Sequence, residues 1–248
     1  MRTFGLIGFP LSHSLSPQLF QERFEKEQIA DATYRLFPLE KISGFRKLLT
    51  DIPDLAGLNV TIPYKQDIIP FLNELDPDAK SINAVNTIKI IRSKNSTYLK
   101  GYNTDIIGFE KAIHTVLPDY KGKALVLGNG GASKSICHVL QKMNIPYAVV
   151  SRTPSAGCVS YDEANLNLLA GSHLIINTTP LGNYPAVNTY PVIHYEKLTA
   201  DHFLFDLVYN PAETLFMKKG IQYGASVCNG YAMLEQQADA SWQIWNSD

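Results

Sequence analysis

The sequence has few cysteines and no long apolar run. Its three cysteines, Cys137, Cys158 and Cys228, are scattered and form no C-x-x-C pair, which argues against a disulfide framework and against a zinc site. We therefore expect no bound metal and a reducing compartment, the cytoplasm. An early apolar stretch is broken by Gly8 and Pro10, so we expect neither a signal peptide nor a membrane span.

The sequence also lacks an excess of either charge. It has 22 Lys+Arg against 23 Asp+Glu, a formal net charge of -1. No overall positive field is therefore present to hold a nucleic acid or an anionic membrane, and we expect neither as a partner. The expected partner is a small-molecule substrate bound at a local site, and we expect the protein to be a monomer or a homodimer.

The 248 residues suffice for one large or two small domains, since division by a typical length of roughly 150 gives about 1.7. Strand, turn and helix patterns alternate along the chain, which predicts an α/β fold with mainly parallel sheets. In the first half, predicted strands cover residues 4–9, 34–37, 57–62 and 84–88, and predicted helices cover residues 18–28, 42–49 and 66–75.

The second half has the spacing of a doubly wound, Rossmann-type domain. A predicted helix over 105–116, capped by Thr104 or Asp105, precedes it. From Gly230 onward, apolar residues recur every three or four positions and predict a terminal helix that packs on the first domain. The strands of this half are predicted at residues 124–127, 147–150, 173–177 and 203–208.

A glycine-rich turn follows the strand at 124–127. In this turn Gly128 permits a tight bend, Gly130 lets a pyrophosphate approach the backbone, and a helix beginning near Gly131 offers free N–H groups to phosphates. The third fingerprint position is Ser133 rather than Gly or Ala, and an ordinary Gly-rich turn is the alternative. The predicted cofactor-binding residues here are Gly128, Asn129, Gly130, Gly131 and Ala132.

The next strand ends in Ser151, Arg152 and Thr153. NAD-binding proteins usually carry an acid at this point for the ribose 2′-hydroxyl. Arg152 can instead pair with a 2′-phosphate, and the two hydroxyls can add donors, so the sequence favours NADP over NAD. A solvent-facing arginine in a turn is the alternative.

Six segments together resemble the shikimate dehydrogenase family. They are residues 12–17 (SHSLSP), 59–65 (NVTIPYK), 84–87 (AVNT), 103–108 (NTDIIG), 128–132 (GNGGA) and 151–153 (SRT). The resemblance implies NADP-linked, reversible reduction of 3-dehydroshikimate to shikimate, on the route to chorismate and the aromatic amino acids. It also implies a substrate-binding catalytic domain over residues 1–101 and 230–248, and an NADP-binding domain over residues 102–229.

The resemblance also implies roles for individual residues. Lys65 and Asp105 become the acid–base pair, although a lysine after Pro63 would otherwise be a solvated turn residue. Helix capping is the alternative role for two of these residues. Ser16 would cap the helix that follows it, and Asp105 would cap the helix that begins there. The implied substrate-binding residues are Ser14, Ser16, Thr61, Lys65, Asn86, Asp105, Tyr209 and Gln237, with Gln236 as the alternative to Gln237. Leu207 and Gly230 are implied beside the nicotinamide.

One departure from the family pattern concerns the cofactor. Many members carry a second basic residue three positions after Thr153, where this chain has Ala156. We therefore expect a retained but weakened preference for NADP, because a single exposed ion pair contributes little. Two other functions stay open: a quinate/shikimate dehydrogenase with relaxed substrate or cofactor use, and a catalytically silent nucleotide-binding regulator.

Overall fold

The computed structural model of the chain describes residues 1–94, 96–153 and 157–247. They divide between two units, one formed by Met1–Ile107 with Glu235–Asp248 and the other by Gly108–Leu234. Within the described ranges, no helix has both the length and the apolar character needed to cross a membrane. Both units have the α/β architecture that the sequence predicts.

A six-stranded sheet forms the centre of the first unit, in the order β2-β1-β3-β5-β6-β4. Three of its pairings are parallel, namely β1 with β2, β1 with β3 and β4 with β6. The pairings of β5 with β3 and with β6 are antiparallel. The elements are β1 (Arg2–Gly8), α1 (Ser16–Lys26), β2 (Ala32–Pro38), α2 (Phe45–Asp51), β3 (Leu55–Val60), β4 (Glu74–Leu75), α3 (Pro77–Ile82), β5 (Thr87–Arg92) and β6 (Thr97–Tyr102).

The second unit contains an all-parallel six-stranded sheet in the order β12-β11-β10-β7-β8-β9. Every residue of β7 and β10 is buried, as expected for inner strands of a doubly wound sheet with helices on both faces. Helix α4 (Thr104–Val116) begins in the first unit and continues into the second after Ile107. The other elements of the second unit are β7 (Ala124–Leu127), α5 (Gly131–Lys142), β8 (Tyr147–Val150), β9 (Cys158–Val159), α6 (Tyr161–Glu163), β10 (Leu174–Asn177), β11 (Phe203–Asp206), α7 (Leu215–Gln222) and β12 (Ser226–Cys228).

Helix α8 (Tyr231–Asn246) ends in the core of the first unit. Trp245 is 6% exposed, and its ring stacks on Phe4 with centroids 4.8 Å apart. Its indole Nε1 donates a hydrogen bond to the Ile88 carbonyl at 3.0 Å. The buried cluster around it, which we call the aromatic cluster, contains Phe4, Phe20, Phe24 and Trp245.

The helix predicted over residues 66–75 is wrong. The segment contains only a 3-10 turn, Ile69–Phe71, followed by β4. Pro70 lies in this turn and has no N–H to continue a helix. The next residues are extended because Asn73 pairs with Leu99, accepting from its backbone N–H through the side chain at 2.8 Å and donating to its carbonyl at 2.9 Å.

Candidate active site and cofactor-binding site

Lys65 and Asp105 form an ion pair in the first unit. The Lys65 Nζ lies 2.5 Å from Asp105 Oδ2, and the two side chains are 16% and 4% exposed. The Lys65 carbonyl accepts from the backbone N–H of Val85 at 2.7 Å, which anchors the lysine after β3. Asp105 lies in the first turn of α4, where the helix dipole favours a carboxylate. Lys65, although it follows a proline turn, thus lies in a polar site that is largely shielded from water.

The cap of α4 differs from the prediction. Asn103 Oδ1 accepts from the backbone N–H of Ile106 at 3.4 Å, so Asn103 provides the side-chain contact at this end of the helix. The expectation that Thr104 or Asp105 would cap the helix is wrong, because both side chains have other partners. Asp105 binds Lys65, and the Thr104 hydroxyl donates to Asn86.

Thr104 holds Asn86 near the Lys65–Asp105 ion pair. Asn86 is 4% exposed, and its Oδ1 accepts from the Thr104 backbone N–H at 2.7 Å. Since Thr104 is bonded to Asp105 in sequence, this contact fixes Asn86 beside the Lys65–Asp105 pair. Three of the predicted substrate-binding residues therefore form one connected group in the first unit.

Ser14 and Ser16 contact each other at the beginning of α1. The Ser14 hydroxyl donates to Ser16 Oγ at 3.2 Å and accepts from the Ser16 backbone N–H at 3.2 Å. In the part of the chain that the structure describes, no side chain caps this end of α1 by a hydrogen bond, so the alternative role of Ser16 as a helix cap is wrong. Both serines are half-buried, with hydroxyls suited to an anion.

The other predicted substrate ligands are spread over both units. Thr61 is half-buried after β3, and its backbone N–H donates to the Ile7 carbonyl at 2.9 Å. Gln236 and Gln237 are both half-buried on α8, in the first unit. Tyr209 belongs to the second unit, and burial raises the pKa of its phenol.

The predicted phosphate-binding turn lies between β7 and α5. Gly128 has φ +109°, and a Cβ there would lie 2.8 Å from the Thr178 Oγ1, so only glycine fits. A Cβ on Gly130 would meet nothing within 4 Å. Among the described residues no side chain caps α5, so its first N–H groups are open to an anion. The turn therefore has the space and the donors that a pyrophosphate needs.

The remaining fingerprint positions fit the same interpretation. Asn129 is exposed, whereas Gly131 and Ala132 are half-buried in the first turn of α5. Ser133 is 2% exposed and its hydroxyl lies 3.9 Å from the Cys137 sulfur. The small serine side chain at this fingerprint position is thus buried in the second unit.

The end of β8 offers a cation to a ligand. Ser151 is buried, with its Oγ accepting from the Thr153 backbone N–H at 3.3 Å, while Arg152 and Thr153 are exposed. Within the described ranges, Arg152 forms no hydrogen bond or ion pair. Its guanidinium is therefore available for a 2′-phosphate. Ala156, the position of the missing second cation, lies outside the described residues.

Gly230 is required by a close backbone contact. A Cβ there would lie 2.2 Å from the Leu207 carbonyl oxygen, and the Gly230 N–H donates to the Val208 carbonyl at 3.2 Å. Leu207 donates through its N–H to the Asn177 carbonyl at 3.0 Å. The structure thus gives Gly230 a packing role, and the approach of Gly230 and Leu207 to a nicotinamide stays a prediction.

Asp206 is a buried acid that the sequence patterns did not single out. It is 0% exposed at the end of β11, and burial raises its pKa to about 6. Its carboxylate accepts from Asn177 Nδ2 at 2.9 Å, from the Val208 N–H at 3.0 Å and from Thr214 Oγ1 at 2.6 Å. Asp206 therefore ties the segments after β10 and β11 together, next to Leu207. The feature of the sequence that could have indicated this role is an acidic residue at the end of an apolar strand.

The raised pKa of Asp206 predicts a pH dependence of stability. Its contribution to the unfolding free energy is fully present below the ordinary value of 3.8 and is lost as pH rises through about 6. The unfolding free energy of wild type relative to Asp206→Asn should thus fall by roughly 1–3 kcal/mol from about pH 4 to about pH 6.5. Urea unfolding at several pH values measures this difference. A free-energy difference between wild type and Asp206→Asn that rises with pH would contradict the prediction. The control is Asp201→Asn, since Asp201 is an exposed acid of the same unit.

Comparison with known proteins identifies the family. Residues 6–88 match the model of the shikimate dehydrogenase substrate binding domain. The chain is 39% identical over 258 residues to the shikimate dehydrogenase (NADP(+)) of Clostridium beijerinckii, covering 99% of this chain and 92% of that protein. The chain belongs to the shikimate dehydrogenase family. The family enzyme of Methanococcus aeolicus, also named shikimate dehydrogenase (NADP(+)), is 36% identical over 97% of this chain and 90% of its own length.

Solved structures of shikimate dehydrogenases share the fold. The enzyme from Peptoclostridium difficile superposes with a TM-score of 0.86 at 36% identity, covering 99% of this chain and 91% of that one. The Thermus thermophilus enzyme in complex with NADP(H) and shikimate gives 0.86 at 27% identity, covering 99% and 94%. A quinate dehydrogenase from Corynebacterium glutamicum in complex with NAD gives 0.85 at 26% identity, covering 99% and 93%. Solved proteins with this fold thus differ in the substrate and the cofactor for which they are named.

Proposed function

We propose that the chain catalyses the reversible, NADPH-dependent reduction of 3-dehydroshikimate to shikimate, on the route to chorismate and the aromatic amino acids. The observation that carries this proposal is the shielded Lys65–Asp105 ion pair with Asn86 fixed beside it. A nucleotide-binding regulator without activity would have no chemical need for such a pair. The NADP(+)-linked relatives support the same activity.

In this proposal the chain's own residues move the proton. When bound, NADPH supplies the hydride that reduces the C3 carbonyl of the substrate. Lys65 then donates a proton from Nζ to the oxygen at C3, and in the opposite direction it accepts that proton. Asp105, at 2.5 Å from Nζ, orients the lysine and hydrogen-bonds a ring hydroxyl.

The other polar groups of the first unit bind the rest of the substrate. The Ser14 and Ser16 hydroxyls bind its carboxylate, with help from Thr61. Asn86 and Gln237 hydrogen-bond ring hydroxyls, and Tyr209 stays a predicted substrate ligand. In this proposal residues 1–101 and 230–248 form the substrate-binding domain.

The second unit binds NADP, with residues 102–229 as the proposed domain. The open N–H groups of α5 and the space over Gly130 suit the pyrophosphate. Arg152, assisted by the hydroxyls of Ser151 and Thr153, pairs with the 2′-phosphate. Leu207 and Gly230 would be the residues beside the nicotinamide. We place the enzyme in the cytoplasm, where its three free cysteines stay reduced, and propose that it acts as a monomer or a homodimer.

Shikimate-dependent reduction of NADP⁺ by the purified protein tests the proposed function. We expect turnover with shikimate to exceed turnover with quinate, and kcat/KM to be higher with NADP⁺ than with NAD⁺. Comparable rates with quinate would favour a relaxed quinate/shikimate dehydrogenase. Binding of NADP⁺ without any turnover would favour the regulator.

The same assay tests the role of Arg152. Replacement by alanine should lower kcat/KM for NADP⁺ by roughly 5- to 20-fold, since a charge-assisted bond at an exposed site is partly screened. The value for NAD⁺, which has no 2′-phosphate, should stay within a factor of about two. Lys218→Ala, an exposed cation on α7 of the same unit, is the matched control. An equal loss with both cofactors would overturn the assignment.

A further inference from the structure

Asn86 is connected to helix α8 by a series of hydrogen bonds. Ser241 is 0% exposed, and its Oγ lies 2.8 Å from Asn59 Nδ2 and 2.9 Å from Thr87 Oγ1. The Thr87 hydroxyl in turn donates to Asn86 Oδ1 at 3.1 Å. A serine on the buried face of the terminal helix is therefore two hydrogen bonds away from a proposed substrate ligand.

The donors available set the direction of these bonds. Asn59 Nδ2 also donates to the backbone carbonyl of Asn86 at 3.3 Å, a group that can only accept, so this end of the amide is the nitrogen and it is the donor to Ser241. Each hydroxyl has one hydrogen. The hydrogen of Thr87 goes to Asn86 Oδ1, which can only accept. The hydrogen in the contact between Thr87 and Ser241 therefore comes from Ser241, and both bonds run toward the Asn86 oxygen.

A backbone group confirms which end of the Asn86 amide is which. The Thr104 N–H, 2.7 Å away, can only donate, so the atom that it meets is the oxygen Oδ1. The Thr104 hydroxyl adds a further bond at 3.1 Å. Oδ1 thus accepts three hydrogen bonds, whereas Nδ2 makes none within the described ranges. In those ranges no buried side-chain polar atom lacks a partner, so Nδ2 is an accessible donor.

We propose that Ser241 is a positioning residue for substrate binding, which acts through Thr87 to hold the Asn86 amide nitrogen toward a hydroxyl of the substrate ring. The inference rests on the proposed function, in which Asn86 binds the substrate. Without the Ser241 hydroxyl, Thr87 keeps Asn59 Nδ2 as its donor at 3.1 Å, but it can turn its own hydrogen from Asn86 to Thr104 Oγ1, which is also 3.1 Å away. Asn86 Oδ1 then keeps its two bonds from Thr104 and loses the third, so the donor toward the substrate is held less firmly.

Ser241→Ala tests this role. The change leaves Asn59 Nδ2 with two acceptors, the Asn86 carbonyl at 3.3 Å and Thr87 Oγ1 at 3.1 Å, so no buried donor is orphaned. We expect KM for shikimate to rise by roughly 5- to 20-fold, with KM for NADP⁺ within a factor of about two. Thr87→Val should have a similar effect, and the two changes together should cost less than the sum of their separate effects.

Ile244→Ala separates positioning from stability. Ile244 is half-buried on the same helix and packs against the aromatic cluster, so its truncation lowers Tm without removing a hydroxyl. An increase of KM for shikimate in Ser241→Ala no larger than in Ile244→Ala would overturn the proposal.

A crystal structure of Ser241→Ala distinguishes this proposal from the proposed function. Absence of shikimate turnover in the wild type would defeat the proposed function. The positioning role would then be decided by the Asn86 side chain, which we expect to be rotated or spread over two orientations in the variant. An unchanged, single orientation of that amide would overturn it.

Discussion

Replacement of Lys65 by alanine is expected to lower kcat for shikimate oxidation by roughly 10²- to 10⁴-fold, the usual effect of removing a positioned acid or base. The lysine is 16% exposed and faces the Asp105 carboxylate at 2.5 Å, so alanine leaves that buried acid without its cation and the substrate oxygen without its proton donor. Steady-state kinetics with shikimate and NADP⁺ measure the loss. Binding of NADP⁺, followed by fluorescence titration, should be almost unchanged.

The matched control is Lys47→Ala. The Lys47 side chain is 78% exposed and forms an i,i+4 ion pair with Asp51, an interaction of a kind that contributes only a few tenths of a kcal/mol. Its removal should leave kcat within a factor of two or so. If Lys65→Ala retained wild-type kcat, the acid–base assignment would have to be abandoned.

Replacement of Trp245 by alanine should lower the free energy of unfolding by about 3–5 kcal/mol. The ring lies in the aromatic cluster, stacked at 4.8 Å on Phe4 and tilted at 5.5 Å from Phe20. Its truncation leaves a cavity and removes the indole hydrogen bond to the Ile88 carbonyl. Urea unfolding, monitored by circular dichroism, measures the change.

Trp242→Ala provides the comparison for this prediction. Trp242 is on the same helix but only half-buried, and it meets Phe4 edge-on at 5.3 Å. Because part of its ring is already in water, its truncation should cost clearly less than that of Trp245. A larger loss at Trp242 would show that the helix is held by its outer edge rather than by the buried indole.

Much of the second unit could be predicted from the sequence because several of its strands are short apolar runs between turns. The structure places β7 and β8 at the predicted residues 124–127 and 147–150. The helix prediction for residues 66–75 failed because the conformation of this segment depends on a strand far along the chain. The pairing of Asn73 with Leu99 overrides the local helical pattern, and a periodicity argument cannot detect it.

The candidate site shows the same limit. Lys65 and Asp105 are 40 residues apart, and only the family resemblance brought them together before the structure did. Ser241 was not predicted because its meaning depends on Thr87, 154 residues away. A serine at helical spacing between Ala238 and Trp245 was its one visible signal. The significance of a buried hydroxyl becomes clear only when its partner is known.

The position of α8 has a consequence for the order of folding during synthesis. The aromatic cluster needs Trp245, yet the whole of Gly108–Leu234 emerges from the ribosome before it. The second unit, a continuous stretch, can therefore complete its core while the first still exposes Phe4 and Phe20 to water. Domains usually mature in the order of their synthesis. In this chain the core of the amino-terminal sheet is therefore completed only after Trp245 has been made, later than the core of the second unit.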